Sequence, residues 1–220
     1  MLFKDLQARL SYDFKNIKLL ELAFVHKSFS NTNNNERLEF LGDSVLNSII
    51  SQYLFLRFTN EKEGLLTRMR AHLVRAETLT RKAQELSLEE YIQLSKGTAN
   101  LSKDRKNSIL EDSFEALVGA IFLDGGWDQV NIIILEIFNL DLKALSADMN
   151  FKDSKTELQE LLQSMKLELP KYEIKDAGDS GFNCSIHFKG TDFQSSGFTK
   201  RSAETAVALK VLNHIKENNE

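Results

Sequence analysis

The spacing of apolar residues changes once along this chain, and the change constrains what the chain can fold into. Over residues 1–145 apolar side chains recur every three or four residues, which is typical of helices with one buried face. The clearest series is Leu38, Leu41, Val45, Leu46, Ile49 and Ile50. Residues 109–123 form a second long apolar-faced segment, which ends at the helix terminator Asp124-Gly125-Gly126. Because convincing strand alternation is absent from this region, we predict an all-helical domain over residues 1–145.

The pattern is different after residue 145. Residues 146–154 are mostly polar and are predicted to form a short linker. Beyond them the predicted order is helix (155–166), three strands (172–175, 182–188 and 193–198) and helix (200–216). A turn over residues 189–192 is expected to join the last two strands. The sequence therefore predicts a small α-β-β-β-α domain over residues 155–220.

Two pairs of acidic residues lie in the apolar helical segments. Glu39 and Asp43 are four residues apart, and Asp112 and Glu115 are three apart. Either spacing brings both carboxylates of a pair to one face of a helix, with Cβ atoms roughly 5–6 Å apart. Two anions this close repel each other, so each pair lowers stability unless a cation lies nearby. Apolar residues flank the second pair, and acids on a mostly buried helix need a partner.

If the two pairs face each other, they form a site made of oxygen ligands. Such ligands favour Mg²⁺ or Mn²⁺ over zinc or copper. A metal held in this way can activate water, orient a phosphate and neutralise charge on a leaving oxygen, which suits hydrolysis of phosphodiesters. On spacing alone, the pairs could equally be charges on solvated helix faces.

Four longer segments carry a resemblance to a known family. They are NERLEFLGDSVL (35–46), SILEDSFEALVGAIFLDGG (108–126), AFVHKS (23–28) and RMRA (68–71). Together they closely resemble ribonuclease III, a family of metal-dependent endonucleases that cut double-stranded RNA. The resemblance covers almost the whole chain, including the second domain, whose order of elements is similar to a double-stranded RNA-binding domain.

The resemblance implies roles for the acids. In the family, the positions of Glu39, Asp43, Asp112 and Glu115 hold catalytic Mg²⁺, for which Mn²⁺ can substitute, and we expect Asp43 and Glu115 to be the catalytic pair. The family also implies a homodimer with one centre per subunit along a shared RNA-binding valley. Each centre cuts one strand and leaves 5′-phosphate and 3′-hydroxyl ends with short 3′ overhangs. Ribosomal RNA precursors and structured messenger RNAs are the implied substrates.

Four further residues near these segments have two interpretations each. Glu36 and Glu63 match acidic positions of the family and are either supporting residues or surface acids. The resemblance implies that Phe40 inserts into the partner subunit, whereas the alternative is an ordinary core phenylalanine. Gly42 permits a close approach to its helix, either by a ligand or by another helix.

In the second domain, the family implies two sets of RNA contacts. One is the helical face carrying Thr156, Gln159, Glu160 and Gln163, which would touch the minor groove, although a plain solvated face has the same pattern. The other is Lys200 and Arg201 at the start of the last helix, where free backbone N–H groups add to a phosphate site. The loop over 176–181 is shorter than is usual and lacks the histidine of the family's Gly-x-x-His motif.

Composition bounds the remaining possibilities. The net charge is −4, and residues 151–220 carry 10 basic and 11 acidic side chains, so RNA contact has to rely on a local basic strip. The single cysteine, Cys184, fits a reducing compartment, and no apolar run reaches the roughly 18 residues of a membrane span. We therefore expect a cytoplasmic protein. Two other functions stay open: a catalytically silent protein that only holds duplex RNA, and a helical phosphohydrolase acting on nucleotides.

Overall fold

The computed structural model describes residues 3–98, 102–147, 149 and 154–217. The chain divides into two compact units, with the division between residues 149 and 150. Much of the predicted linker, residues 148 and 150–153, lies outside the described residues, so the linker stays a prediction.

The described residues of the first unit form α-helices and short 3₁₀ turns, as expected for the all-helical domain. The helices are α1 (Lys4–Leu10), α2 (Ile17–Ala23), α3 (Glu36–Arg57), α4 (Glu63–Leu73), α5 (Ala76–Glu85), α6 (Lys103–Ile137) and α7 (Asn139–Ala144). Side-chain caps begin two of them: Asn16 accepts from the N–H of Lys18, and Ser102 accepts from the N–H of Arg105.

Helices α3 and α6 form the centre of this unit. Helices α2 and α5 pack on α6, and α4 packs on α3. The predicted apolar series of α3 is largely buried, with Leu46, Ile49 and Ile50 fully inaccessible. Phe114 of α6 is also fully buried and meets Phe138 edge to face, with ring centroids 6.2 Å apart.

Helix α6 is interrupted where the sequence predicted a terminator. Gly126 has φ 80° and ψ −176°, so the continuous helical run contains a kink at this residue. A left-handed φ of this kind is strained for any residue with a side chain. The carboxylate of Asp124 accepts hydrogen bonds from the Tyr12 hydroxyl (2.6 Å) and from the backbone N–H groups of Lys15 and Asn16. These bonds tie the α1–α2 connection to α6.

Helix α6 is also long and apolar enough to satisfy a length-and-composition test for a membrane span. It does so on mean hydropathy over a window that allows up to two charged residues, and not as an uninterrupted apolar run. The helix packs against α2, α3 and α5, and it carries Asp112 and Glu115 in its first half. Burial in a protein core explains the composition of this helix.

The second unit has the predicted α-β-β-β-α order. Helix α8 (Ser154–Ser164) precedes an antiparallel sheet in the order β1 (Glu173–Asp176), β2 (Phe182–Phe188) and β3 (Thr191–Gly197), and α9 (Lys200–Glu217) follows. Its core joins Leu158 and Leu162 of α8 and Cys184 and Ile186 of β2 to the apolar side of α9, namely Ala203, Val207, Ala208, Val211, Leu212 and Ile215.

The turn between β2 and β3 is shorter than predicted. Phe188 pairs with Thr191, so only Lys189 and Gly190 lie in the loop. Both have left-handed backbones, with φ of 47° and 81°. Two consecutive positive φ values allow a two-residue hairpin whose twist matches that of the strands. The prediction of a four-residue turn over 189–192 was therefore wrong. The two-residue hairpin was not predicted because lysine rarely adopts a left-handed backbone.

Candidate active site and RNA-binding surface

Helices α3 and α6 cross in backbone contact at two glycines. A Cβ atom on Gly42 would lie 1.8 Å from the carbonyl oxygen of Glu115, and one on Gly119 would lie 2.3 Å from that of Leu38. Neither position can hold a side chain without moving a backbone. Of the two interpretations of Gly42, the structure supports a close helix–helix contact. The crossing brings the backbone that carries Glu39 and Asp43 against the backbone that carries Asp112 and Glu115.

The two acid pairs face each other at this crossing. Burial raises the pKa of Glu115 to about 8, and the negative charges of Asp43, Glu111, Glu39 and Asp112 contribute in the same direction. No cation is among the groups that shift the pKa of Glu115. Near neutral pH, its carboxyl group is therefore in an environment that disfavours ionisation.

The other side of the acid cluster has a cation. Burial raises the pKa of Asp112 and of Glu39, while the ammonium group of Lys27 opposes the rise in both. Lys27 Nζ lies 3.1 Å from Glu36 Oε1, at the first turn of α3. The cluster is therefore asymmetric, with Lys27 near Glu36, Glu39 and Asp112.

Two of these groups had no assigned role in the sequence analysis. Glu111 is half-buried, and burial together with the charge of Asp112 raises its pKa. It lies four residues before Glu115, a spacing that places both on one helical face and could have identified it. Lys27 belongs to the quoted AFVHKS segment, but nothing local in the sequence shows that the α2–α3 connection reaches α6.

The Asp43 carboxylate is held by its own helix. Asn47, one turn later, donates from Nδ2 to Asp43 Oδ1 at 2.7 Å and to the Asp43 carbonyl oxygen at 3.0 Å. A hydrogen bond to one carboxylate oxygen fixes the direction of the other, which is how residues behind a metal ligand orient it.

The two candidate supporting acids lie in different surroundings. Glu36 joins the cluster, because its charge contributes to the pKa values of Glu39 and Asp112. Glu63 begins α4, accepts a hydrogen bond from the hydroxyl of Thr67 (2.8 Å) and lines a cavity of about 660 Å³ with Phe55 and Arg70. It is absent from the charges that shift the pKa of Glu39, Asp112 or Glu115.

The donor set fits a divalent cation. Carboxylates gathered around a buried crossing, with one of them forced toward protonation, are stabilised when a cation binds between them. In the parts of the chain that the structure describes, no three acidic, histidine or cysteine side chains yet converge closely enough to hold an ion. The crossing thus brings the helix segments that carry the acids together.

Phe40 projects away from the core of its own unit. Its side chain is 78% exposed, although it follows Glu39 directly on α3. The alternative interpretation, an internal core phenylalanine, is therefore wrong. The exposed ring leaves the other interpretation, contact with a partner subunit, as a prediction.

The predicted RNA-binding side chains of the second unit are all exposed. Those on α8 are Thr156, Gln159, Glu160 and Gln163. Lys200 and Arg201 are exposed at the start of α9, where Thr199 caps the helix by accepting from the N–H of Ser202 at 3.1 Å. The first backbone donors and the two cations therefore occupy one helix end.

The β1–β2 connection is a compact turn. Ala177 N–H donates to the Gly181 carbonyl oxygen at 2.8 Å, and Asp176 Oδ1 accepts from the N–H of Gly178 at 2.8 Å. Gly181, with φ 90°, packs so tightly on Gly197 that a Cβ would lie 2.4 Å from its carbonyl oxygen. The predicted absence of an extended, histidine-bearing loop thus corresponds to a closed turn.

Comparisons with known proteins cover both units. The ribonuclease-III-like family profile matches residues 16–141, and the double-stranded RNA binding motif matches residues 154–215. Ribonuclease 3 of Alcanivorax borkumensis is 43% identical over 96% of each chain. Ribonuclease 3 of Aliarcobacter butzleri is 40% identical over 98% of each chain.

Solved structures agree for the first unit. The nuclease domain of ribonuclease III from Campylobacter jejuni superposes with a TM-score of 0.60 at 40% identity. That structure is described as showing structural flexibility in the region of the domain involved in dimer formation. The match covers 63% of this chain and 96% of that one. With two family profiles and full-length relatives in agreement, the chain belongs to the ribonuclease III family of endoribonucleases.

Proposed function

We propose that this protein is an endonuclease that hydrolyses double-stranded RNA with the help of Mg²⁺, acting in the cytoplasm as a homodimer. The observation that carries the proposal is the gathering of carboxylates at the α3–α6 crossing, where burial and the charges of neighbouring acids raise the pKa of Glu115 to about 8. A site of this kind is stabilised by a divalent ion, and such an ion suits phosphodiester hydrolysis.

Glu39, Asp43, Asp112 and Glu115 are the proposed ligands, and Mn²⁺ can replace Mg²⁺. When bound, the ion supplies an activated water and offsets the charge on the phosphate. The protein supplies fixed positions: the glycine crossing holds α3 against α6, and Asn47 orients the carboxylate of Asp43. Asp43 and Glu115 are the proposed catalytic pair, and Glu36 and Glu63 are supporting acids.

The second unit binds the substrate. We assign minor-groove contacts to the exposed face of α8 and phosphate contacts to Lys200 and Arg201. Such contacts read the shape of A-form RNA rather than its base sequence. The exposed ring of Phe40 is the proposed dimer contact, in keeping with the dimer-forming nuclease domain of the Campylobacter jejuni protein.

The products follow from the family. Each centre of the dimer cuts one strand, which gives 5′-phosphate and 3′-hydroxyl ends with short 3′ overhangs. Ribosomal RNA precursors and structured messenger RNAs are the proposed cellular substrates, and sequencing the 5′ ends of RNAs that accumulate on depletion of the protein would identify them.

The assay uses the full chain with three substrates: a labelled duplex RNA, the same strand alone, and free nucleotides. We expect the duplex to be cut only when Mg²⁺ or Mn²⁺ is present, and the other two to stay intact. Retention of uncut duplex with the metal present would instead indicate a protein that only holds RNA. Release of phosphate from nucleotides would indicate a nucleotide phosphohydrolase.

A further inference from the structure

We propose that Lys27 is a catalytic residue whose ammonium group contacts the non-bridging oxygens of the phosphodiester that is cut. This inference rests on the proposed function, because it takes the neighbouring acids as the place of cleavage. Lys27 gives the acid-rich site a cation that belongs to the protein itself, beside the imidazole of His26, which also acts on Asp112.

The position of Lys27 is the first argument. Its Nζ lies 3.1 Å from Glu36 Oε1 on the first turn of α3, and its charge acts on Glu39 of the same helix and on Asp112 of α6. The ammonium group is therefore near acids of both helices at the crossing. Its side chain is 60% exposed, so a ligand can reach it from solvent.

The backbone on either side of Lys27 is well anchored. The Val25 carbonyl oxygen accepts from the N–H of Asn35 at 2.8 Å, and His26 N–H donates to the carbonyl oxygen of Gln93 at 3.2 Å. On the other side, Ser28 N–H donates to Nδ1 of His26 at 3.1 Å. Lys27 therefore extends from a fixed position, and only its own side chain has to rearrange to meet a ligand.

Electrostatics provides the second argument. A phosphodiester carries a negative charge, and the charge on its oxygens grows as the bond to the leaving oxygen breaks. The carboxylates of Glu36, Glu39, Asp112 and their neighbours repel such a group, and one divalent ion offsets only two of those charges. An ammonium group has three N–H donors, so Lys27 can keep its bond to Glu36 and still donate to the phosphate.

Removing the charge of Lys27 should therefore strengthen metal binding and slow cleavage. Lys27 is a cation beside the proposed metal ligands, so it repels a metal ion while it attracts the substrate. Replacing it with methionine, which keeps an apolar stem without the charge, should make Mn²⁺ bind severalfold more tightly. The same change should slow cleavage about 100-fold, the usual size of effect for loss of one donor to developing charge.

The experiment uses full-length wild type, Lys27→Met, Lys27→Arg and the matched control Lys18→Met, an exposed lysine of α2. Mn²⁺ affinity is measured by electron paramagnetic resonance of the free ion. Cleavage is measured in single turnover at saturating Mg²⁺, and the melting temperature is measured in EDTA. We expect Lys27→Arg to recover cleavage to within about tenfold of wild type, since it keeps the charge and donors, and Lys18→Met to match wild type throughout.

The outcomes separate the explanations. Unchanged cleavage in Lys27→Met overturns the proposal, as does full recovery of cleavage at higher Mg²⁺, which would mean that Lys27 acts only on the metal. A lower melting temperature together with weaker Mn²⁺ binding would show a structural role and also overturns it. Wild type that cuts no duplex under any metal condition overturns the proposed function and this inference with it, whereas cleavage by wild type with an inert Lys27 overturns the inference alone.

Discussion

The two units of this protein use their charged residues in opposite ways. In the nuclease unit, acids gather at one helix crossing, partly buried, and several have raised pKa values. In the RNA-binding unit, charges are mostly exposed and partly neutralise each other, as in the Lys155–Glu204 (2.8 Å) and Lys216–Glu157 (3.1 Å) ion pairs between α8 and α9. A concentrated site should therefore depend steeply on single residues, and a dispersed surface should lose function gradually.

The largest effect is expected for Glu115→Gln. Glutamine keeps the size of the side chain but removes a negatively charged metal ligand, so cleavage should fall by about three orders of magnitude or more, because the bound metal supplies much of the transition-state stabilisation. Duplex binding should survive. The measurement is single-turnover cleavage beside a binding titration, with Glu136→Gln, an exposed position on the same helix, as control. Near-normal turnover at saturating Mg²⁺ would remove Glu115 from the site.

The next effect tests the helix crossing itself. Gly42→Ala puts a methyl group 1.8 Å from the carbonyl oxygen of Glu115, so α3 and α6 must separate. Overpacking of this kind costs about 1–3 kcal/mol or more, and cleavage should fall with it because both acid pairs shift. Thermal unfolding and cleavage are the measurements. Gly97→Ala, where a Cβ meets nothing within 4 Å, is the matched control and should resemble wild type.

The next effect concerns the proposed contact of Phe40, beside the acid cluster, with a second copy of the chain. Phe40→Asp replaces a 78% exposed ring beside Glu39 with a charge. If the ring inserts into the partner subunit, desolvating a carboxylate there is unfavourable and the protein should sediment as a monomer. Leu140→Asp, at another exposed apolar position, is the control and should stay dimeric. A dimer unchanged by Phe40→Asp would contradict this contact.

The raised pKa of Glu115 also predicts how stability varies with pH. The group has a pKa of about 8 in the folded protein and an ordinary value of 4.5 when unfolded, so the folded state binds more protons between these values. The stabilising contribution of the protonated Glu115 carboxyl is therefore fully present below pH 4.5 and is lost as pH rises through the folded pKa. In EDTA, the melting temperature should fall as the pH is raised from about 7 to about 8.5. This window lies above the ordinary pKa values of histidine and carboxyl groups, so their titration contributes little to the change. Glu115→Gln should show a flatter curve.

The sequence predicted those features of the site that depend on local geometry. The spacings of Glu39 with Asp43 and of Asp112 with Glu115 place each pair on one helical face, and the long family segments linked the two helices. The proximity of Lys27 to Asp112 could not be predicted, because it depends on how the α2–α3 connection packs at α6. The distance of Glu63 from the cluster within one subunit is likewise a property of packing, since α4 contacts the other half of α3.

In the RNA-binding unit, too, local patterns were predicted from the sequence and a feature set by tertiary pairing was not. The alternation in β2 predicted its buried face, because a period of two residues is a property of any strand. The two-residue hairpin at Lys189 and Gly190 was missed, since the left-handed φ of Lys189 arises from strand pairing rather than from the preference of lysine. Tertiary pairing thus overrode a local preference in this small unit.

The smallest effect is expected in the dispersed surface. Replacing Lys200 and Arg201 together with alanine removes two exposed cations at the start of α9. Each phosphate contact contributes about one unit to the dependence of log affinity on log salt, so the slope should flatten by about two units at most. Binding should weaken alike for all duplex sequences, because phosphate contacts carry no base information.

The compact turn at 176–181 bears on how much Lys200 and Arg201 should contribute to RNA binding. With no extended loop in that turn to reach a second groove, the proposed RNA contacts are those on α8 and at the start of α9, and we expect each single unit to hold RNA weakly. In the proposed dimer, we expect the second unit to bind at high effective concentration and to raise avidity by about 10²–10⁴. Salt titrations in a Glu115→Gln background should therefore show the double alanine variant losing most on duplexes too short to reach both units. Equal losses on short and long duplexes would show that the two units do not bind together. A slope unchanged by the double substitution would show that Lys200 and Arg201 touch no phosphate.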